Sequence, residues 1–290
     1  MIQKGIILAA GRGTRLYPAT IVVGKPLLPI FDKPMIYYSL SLLMQAKIRE
    51  VCIVTNRHDI TLFRELLGDG HQLGMHIQYR IQDIPKGIAD VFNVAEDFIE
   101  RKPCALMLGD NIFIGKQWQN RLMEIQEHHE QGALVFAYPV TDPNRYGVLN
   151  LDAHNNILDV IEKPKVAPSN FAVTGLYFYD DKATEFAKTL KPSARGELEI
   201  TDLNRIYLKN QQLDWMSLDC SDDLWFDVGT HEAMYMAIDK VSHYIMENQI
   251  QIGCIEEQAF LNGWIDQSKL ALLQKNVNMT NYGQYLTKYL

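Results

Sequence analysis

The sequence predicts an α/β fold: a doubly wound, mostly parallel mixed sheet, followed by a strand-rich elaboration and a helical carboxyl-terminal segment. Three observations predict it. Apolar runs of strand length alternate with helical periodicity over the first 140 residues. The first run, Ile6 to Ala10, leads straight into a glycine turn, as a parallel strand does when its carboxyl end faces a ligand crevice. Near residue 145 the alternation gives way to closely spaced strands, and after 231 to helices. No repeat, low-complexity tract or flexible linker interrupts the chain. It reads as one unit, 1–290, with parts at 1–140, 141–230 and 231–290.

After the first strand, Met35 to Ala46 reads as a helix with Pro34 at its start and Ile36, Leu40, Leu43 and Met44 on its apolar stripe. Glu50–Thr55 is a β-rich run. Leu62, Leu66 and Leu67 mark a helix that Gly68-Asp69-Gly70 stops. Ile77–Ile81 alternates as a strand, and Gly87–Ile99 reads as a helix entered through Pro85-Lys86. Cys104–Leu108 is a buried strand ending at Gly109-Asp110. A polar helix covers Gln117–Glu130, and Ala133–Tyr138 is a strand. Strands follow at Val148–Leu151, Ile157–Glu162 and Phe171–Tyr179, separated by turn residues. Glu199–Leu208 is a helix, Leu213–Leu218 a strand, and Leu224–Asp227 a short strand. His231–Asn248 is a long amphipathic helix, with shorter helices at Glu256–Asn262 and Ser268–Gln274.

The glycine turn carries the first chemistry. Gly11 and Gly13 let the backbone bend sharply and present N–H groups to one concavity, which suits phosphate oxygens. Arg12, Arg15 and Lys25 add cations, and Lys4 is expected to join them. A nucleoside triphosphate site is the reading this supports; taken alone, the glycines are a plain turn. Lys25 lies outside P-loop spacing. The dinucleotide pattern G-x-G-x-x-G fails because Leu16 stands where the third glycine belongs, and Asp32 sits in the turn Phe31-Asp32-Lys33-Pro34. An NAD-dependent oxidoreductase is thus the rival reading from another class. Downstream, Asp110 follows one buried strand and Asp227 ends another, Leu224-Trp225-Phe226. Two such aspartates from distant loops suit Mg²⁺, which takes one or two carboxylates plus water and phosphate oxygens. The alternative for Asp227 is capping the helix that begins near His231.

Composition narrows the partners. A net charge of −7 argues against generic nucleic-acid or anionic-membrane binding, so a polyphosphate must meet local cations against the overall field. Cys52, Cys104, Cys220 and Cys254 share no C-x-x-C spacing; Cys52 and Cys104 read as small buried hydrophobes, and a reducing, cytoplasmic setting fits. Neither a signal peptide nor an 18-residue apolar span is expected. His231-Glu232 opens like H-E-x-x-H, but Tyr235 ends the match, and His128-His129-Glu130 reads as a solvated helix face.

Leu8-Ala9-Ala10-Gly11-Arg12-Gly13-Thr14-Arg15-Leu16 and Lys25-Pro26-Leu27-Leu28-Pro29 resemble the signature of the sugar-1-phosphate nucleotidylyltransferases. Leu108-Gly109-Asp110-Asn111, Asp142 to Val148, Glu162-Lys163-Pro164, Val173 to Tyr179, Arg195 to Asp202 and Tyr282 to Leu286 resemble the branch that transfers thymidylyl groups to glucose 1-phosphate. The resemblance implies a Rossmann-like nucleotidyltransferase fold, dTTP and glucose 1-phosphate as substrates, Mg²⁺ as cofactor and a homotetramer. It implies Arg15 and Lys25 as catalytic residues and Asp110 and Asp227 as metal ligands. Nucleotide contacts fall on Leu8, Ala10, Gly11, Gly13, Thr14, Arg15, Lys25, Gln82, Gly87 and Asp110. Sugar-phosphate contacts fall on Asn111, Tyr146, Gly147, Glu162, Lys163, Val173 and Arg195. A side-chain amide at Gln82 can pair with an imide edge, which thymine and uracil share. Gly24-Lys25-Pro26 stands where the branch has Ser-Lys-Gln, and Pro26 resembles sister branches that use other nucleotides, so UTP or another sugar phosphate stays open. A regulatory nucleotide site is implied around positions 114–120 and 219–257.

Overall fold

In the computed structural model, residues 2–129 and 131–290 are described. The chain opens with β1 (Lys4–Ala9), then a tight hairpin of β2 (Pro29–Ile30) and β3 (Lys33–Pro34) leads into α1 (Ile36–Gln45). There follow β4 (Glu50–Thr55), α2 (Ile60–Leu67), β5 (His76–Ile81), α3 (Val91–Val94), α4 (Glu96–Ile99), β6 (Cys104–Leu108), β7 (Asn111–Ile114), α5 (Trp118–His128) and β8 (Ala133–Pro139). The strand-rich part holds β9 (Gly147–Leu151), β10 (Ile157–Glu162), β11 (Phe171–Tyr179), α6 (Ala183–Thr189), α7 (Ile200–Lys209), β12 (Leu213–Ser217) and β13 (Leu224–Asp227). The chain closes with α8 (His231–Asn248), α9 (Ile255–Leu261), α10 (Gln267–Lys275) and α11 (Asn281–Leu286).

Among the described residues, nine strands form one mixed sheet whose backbone is the parallel run β5-β4-β1-β6. β1 lies between β4 and β6, so both of its faces must be apolar. Ile7 and Ala9 point into a core made with Leu40 and Leu43 of α1, Phe63 of α2 and Leu122 of α5. Ile6 points the other way, into a core made with Phe92, Phe98, Leu203 and Tyr207. Successive side chains of one strand thus feed two helical layers, the physical content of a doubly wound sheet. A third cluster packs Ala237 and Val241 of α8 against Ile112, Ile114 and Val228, on the separate antiparallel ribbon β7–β13.

β11 is the splice between the parallel and antiparallel parts. Its carboxyl half, Leu176–Tyr179, pairs antiparallel with β6, and its other edge pairs with β8. The β8 ladder slips register between Val173 and Tyr177. β8 therefore joins the sheet through β11 rather than extending the parallel run, and β12 lies parallel at its far edge.

Several local expectations are corrected. The helix expected over Gly87–Ile99 starts at Val91 and breaks at Ala95 (φ −105°) into α3 and α4. Gly87 holds φ +104°, and the loop around it is tied across to Leu198, whose N–H donates to the Lys86 carbonyl at 2.6 Å. β7, four apolar residues directly after Asp110, merges in the sequence with the turn before it, and α6 is too short and charged to show a clear stripe. α5 ends at His128; Glu130 lies outside the described residues. Lys4 does not join the glycine turn. It begins β1, at the opposite end of the strand, where it pairs with Glu50 (2.6 Å) and Glu100 (3.4 Å). Six residues of strand put it roughly 20 Å from the turn.

One buried amide clasps the amino end of the fold. Gln126 of α5 accepts the Ile2 N–H (2.7 Å) and donates to the carbonyls of Ile2 (2.8 Å) and Ala46 (2.7 Å). Gln126→Leu leaves three buried backbone groups unpaired. It is expected to cost ~2–4 kcal/mol in denaturant unfolding, while turnover measured well below the melting range stays near that of the unaltered chain.

Candidate active site

The carboxyl ends of β1, β4, β5 and β6 form one rim, and the site is built on it. The turn after β1 is held by Gly13, whose φ of +59° and close neighbours exclude a side chain: a Cβ there would lie 3.0 Å from Thr20 Cγ2 and 3.2 Å from Lys25 Cβ. The Gly13 carbonyl accepts the Thr20 hydroxyl (2.6 Å) and the Leu16 N–H (2.8 Å), which tightens Thr14–Leu16 into a 3₁₀ turn. Gly11 faces open space. The N–H groups of Gly11, Arg12, Gly13 and Thr14 donate to no backbone carbonyl among the described residues, which leaves them for an anion.

Two cavities adjoin here. One is lined by Leu8, Gly11, Gly13, Thr14, Arg15, Lys25, Pro26 and Asp110, with Gly229. The other is lined by Asn111, Arg145, Tyr146, Gly147, Glu162, Lys163, Val173, Thr174, Trp225 and Asp227, again with Arg15 and Asp110. Arg15 and Asp110 line both and so mark where the cavities meet.

The aspartates reach this junction by different routes. β13 pairs with β7 with Asp227 opposite Asn111, and the Val228 N–H donates to the Asp110 carbonyl at 3.0 Å. Asp227 caps no helix: Thr230 caps α8, accepting the Ala233 N–H at 3.2 Å. Burial pushes the Asp227 carboxyl up and the nearby Asp110 charge adds to that, against the pull of Lys25, Arg15 and Arg145. Burial also works to raise Asp110, but the Lys25 ammonium bonded to Oδ2 and the Asn111 amide on Oδ1 (2.9 Å) hold it below the usual carboxylate range. Two crowded, half-buried carboxylates that present oxygen donors alone to an open cavity fit a hard divalent ion that brings water and phosphate as its other ligands. No cluster of three or more His, Cys, Asp or Glu that could hold a metal occurs among the described residues.

Asn111 is a junction as well as a cavity wall. Its Oδ1 accepts the Trp225 indole N–H (2.7 Å) and the Gly175 N–H (3.0 Å), the latter freed where β11 slips register. Glu162, at the end of β10, accepts the Thr201 hydroxyl (2.5 Å) and the Arg195 guanidinium (3.2 Å). Lys163 holds φ +42°, with its N–H on the Tyr146 carbonyl at 2.9 Å. A non-glycine residue held in that region is over-determined by its surroundings.

The remaining expected residues sit at the margins. Arg195 lines an adjoining groove with Glu162 and Lys163, held by Glu199 at 2.7 Å and Glu197 at 3.3 Å. Ala10 lines a pocket on the outer side of the glycine turn. Gln82 directly follows β5 on the same rim, buried, with its Nε2 donating to Asp90 at 2.9 Å. Gly87 lies behind it, so close to the Leu198 backbone that a Cβ would collide. Arg145, Thr174, Thr201 and Trp225 line the second cavity or its wall without having been singled out. Arg145 stood within the run Asp142–Val148, where a cation just before a strand was the available signal.

The chain matches the nucleotidyl transferase family over residues 4–243. The chain belongs to that family. The glucose-1-phosphate thymidylyltransferase of Xanthomonas campestris pv. campestris (strain B100) is 50% identical over 285 residues, covering 98% of this chain and 96% of the relative. The enzyme of the same name from Neisseria meningitidis serogroup A is 47% identical over 290 residues, covering 99% of each. Among solved structures, a candidate glucose-1-phosphate thymidylyltransferase from Bacillus anthracis, in complex with sucrose, superposes with a TM-score of 0.75 at 41% identity, covering 82% of this chain and 94% of that one. A UDP-glucose pyrophosphorylase complexed with UDP-glucose superposes with a TM-score of 0.74 at 26% identity, covering 84% of this chain and all of that one. As a nucleotidyl transferase the chain has no need of a nicotinamide, and the rival reading of Gly11 and Gly13 falls away. No helix among the described residues is long and apolar enough to cross a membrane.

Asp227→Asn removes one of two like charges from a half-buried junction. In buffer free of divalent ions the variant is expected to melt at a higher temperature than the unaltered chain. A lower melting temperature there counts against the crowding of Asp110 and Asp227.

Proposed function

We propose that this protein transfers a thymidylyl group from dTTP to α-D-glucose 1-phosphate, giving dTDP-glucose and pyrophosphate, with Mg²⁺ as cofactor. The observation that carries the reading is the meeting of a glycine-turn cavity and a carboxylate-rich cavity at Arg15 and Asp110. The names of the full-length relatives support the substrates. A phosphate oxygen of the sugar phosphate attacks the α-phosphorus of the nucleotide. The bond to the bridging oxygen breaks, and pyrophosphate leaves with its electron pair.

No covalent intermediate on the protein is needed, so catalysis rests on alignment and on neutralising charge. The N–H groups of Gly11 to Thr14 cradle phosphate oxygens beside Leu8 and Ala10. Arg15 meets the leaving pyrophosphate and Lys25 the α-phosphate; at ~4 Å and an effective dielectric of ~20 each charge contact is worth about 4 kcal/mol. Asp110 and Asp227 would hold the Mg²⁺, which when bound neutralises phosphate charge. Glu162, held by Thr201 and Arg195, accepts sugar hydroxyls. Lys163 and Arg195 take the sugar phosphate, and Asn111, Tyr146, Gly147 and Val173 shape the sugar cavity. Gln82 and Gly87 read the base.

Uracil offers the same imide edge, and the UDP-glucose pyrophosphorylase neighbour favours keeping UTP as a second nucleotide. Pyrophosphate release compared across dTTP, UTP, CTP and GTP is expected to be fastest with dTTP. Arg15→Ala is expected to stay folded and lose ~10²–10³ in kcat; a near-normal kcat removes Arg15 from the mechanism.

The same reading makes the protein a cytoplasmic homotetramer that feeds dTDP-rhamnose and related deoxysugars. It includes feedback at a second site. A separate cavity lined by Gln45, Gly115, Lys116, Trp118, Tyr244 and Gln251 supports this by spanning both expected segments. dTDP-rhamnose titrated into the assay is expected to inhibit in a manner that excess substrate does not relieve.

A further inference from the structure

We propose that Asp59 is a positioning residue for Lys25, acting through the Gly24 peptide. The inference rests on the reading of Lys25 as the α-phosphate contact. Asp59 stands in sequence where a helix-capping aspartate belongs, directly before α2, yet its side chain caps nothing there. It is turned back toward the glycine turn. One oxygen, Oδ1, accepts the Gly24 N–H at 3.1 Å, and Oδ2 accepts the Asn56 side-chain amide at 2.6 Å. The residue is 2% exposed. Among the described residues its one ion-pair partner is the exposed ring of His58, at 2.9 Å from Oδ1. A carboxylate buried this deeply without a lysine or arginine is costly to keep for helix stability alone.

What it holds is the start of the Lys25 turn. Gly24 is extended (φ −63°, ψ 146°), and a Cβ built on it would collide with Asp59 Oδ2, so the Asp59 carboxylate lies directly against the Gly24 backbone. The Gly24 carbonyl then accepts the Leu27 N–H at 3.0 Å and closes the 3₁₀ turn Lys25–Leu27. The lysine stem leaves from the next residue. Gly13 limits it on one side, and its ammonium ends on Asp110. Asp59 is thus the fixed point from which the reach of Lys25 to the cavity junction is measured. It touches neither Asp110 nor the cavity that Lys25 lines.

The test is a double-mutant cycle on turnover, with dTTP, glucose 1-phosphate and Mg²⁺ saturating. Asp59→Ala is expected to lower kcat ~10–10²-fold, the scale of an ångström-sized misplacement, with KM for glucose 1-phosphate changed less than about twofold. In a Lys25→Ala background the same substitution is expected to lower kcat less than about twofold, because the group it positions is gone. Asp59→Asn, which keeps the shape and an oxygen for the Gly24 N–H, is expected to recover most of the loss. Equal losses in both backgrounds, or no loss from Asp59→Ala, overturn the inference. If Lys25→Ala alone keeps a near-normal kcat, the reading of Lys25 fails and takes the inference with it. Should Asp59→Ala not fold, Gly24→Ala presses on the same carboxylate and is expected to lower kcat in the same way; a normal kcat there overturns the proposal.

Discussion

The repulsion between Asp110 and Asp227 is the constraint on which the rest of the site depends. Burial and mutual charge both work against ionising Asp227, while Asp110 stays charged because Lys25 and Asn111 attend to its two oxygens. Neither aspartate could be held this way by local sequence. Asp110 needs the β6 edge, Asp227 needs β13, and the β7–β13 ribbon is what sets them side by side. Two of the cations that answer them, Arg15 and Lys25, come from a third place, the segment after β1. Three segments far apart in the chain therefore converge because one charge problem has to be met from several directions.

The scaffold supplies rigidity where that convergence requires it. Ile6 and Ile7 anchor β1 in two different cores, so the glycine turn emerges from a strand that cannot shift toward either layer. α8 seats on the β7–β13 ribbon through Ala237 and Val241, and Thr230 fixes its first turn just beyond Asp227. Trp225 packs edge-on against Tyr146 at 5.3 Å and holds Asn111 by its indole N–H. The wall of the second cavity is thereby tied to the same amide that steadies Asp110.

What the chain order revealed, and what it concealed, follows from these distances. Gly11, Gly13, Asp110 and Asp227 stood out because a buried strand ending in glycine or aspartate has few explanations other than a ligand rim. The parallel run was legible from alternation of strand and helix. Lys4 misled because nearness in sequence to the glycine turn is not nearness in space when a straight strand intervenes. Thr201 and Trp225 were silent because each is tied into the site by a hydrogen bond to a distant partner, Glu162 and Asn111 respectively, and Arg145 because the residue it answers, Asp227, lies more than eighty positions away. The late start of α3 was hidden for a related reason. Gly87 takes a left-handed backbone to meet Leu198, a contact more than a hundred residues away.

The slip in β11 has a consequence for how such a protein can vary. One strand runs past both cavities, bonded to β6 along its carboxyl half and touching β9 at Ala172. The span between the two cavities is therefore set by a single length of backbone, as two rooms share a joist. Residues on the β10 side of the sheet and in the segment around Arg195 are free to diverge and reshape the second cavity. A residue inserted in or deleted from β11 would displace one cavity against the other, so diversity in this architecture is confined to the elements around that strand.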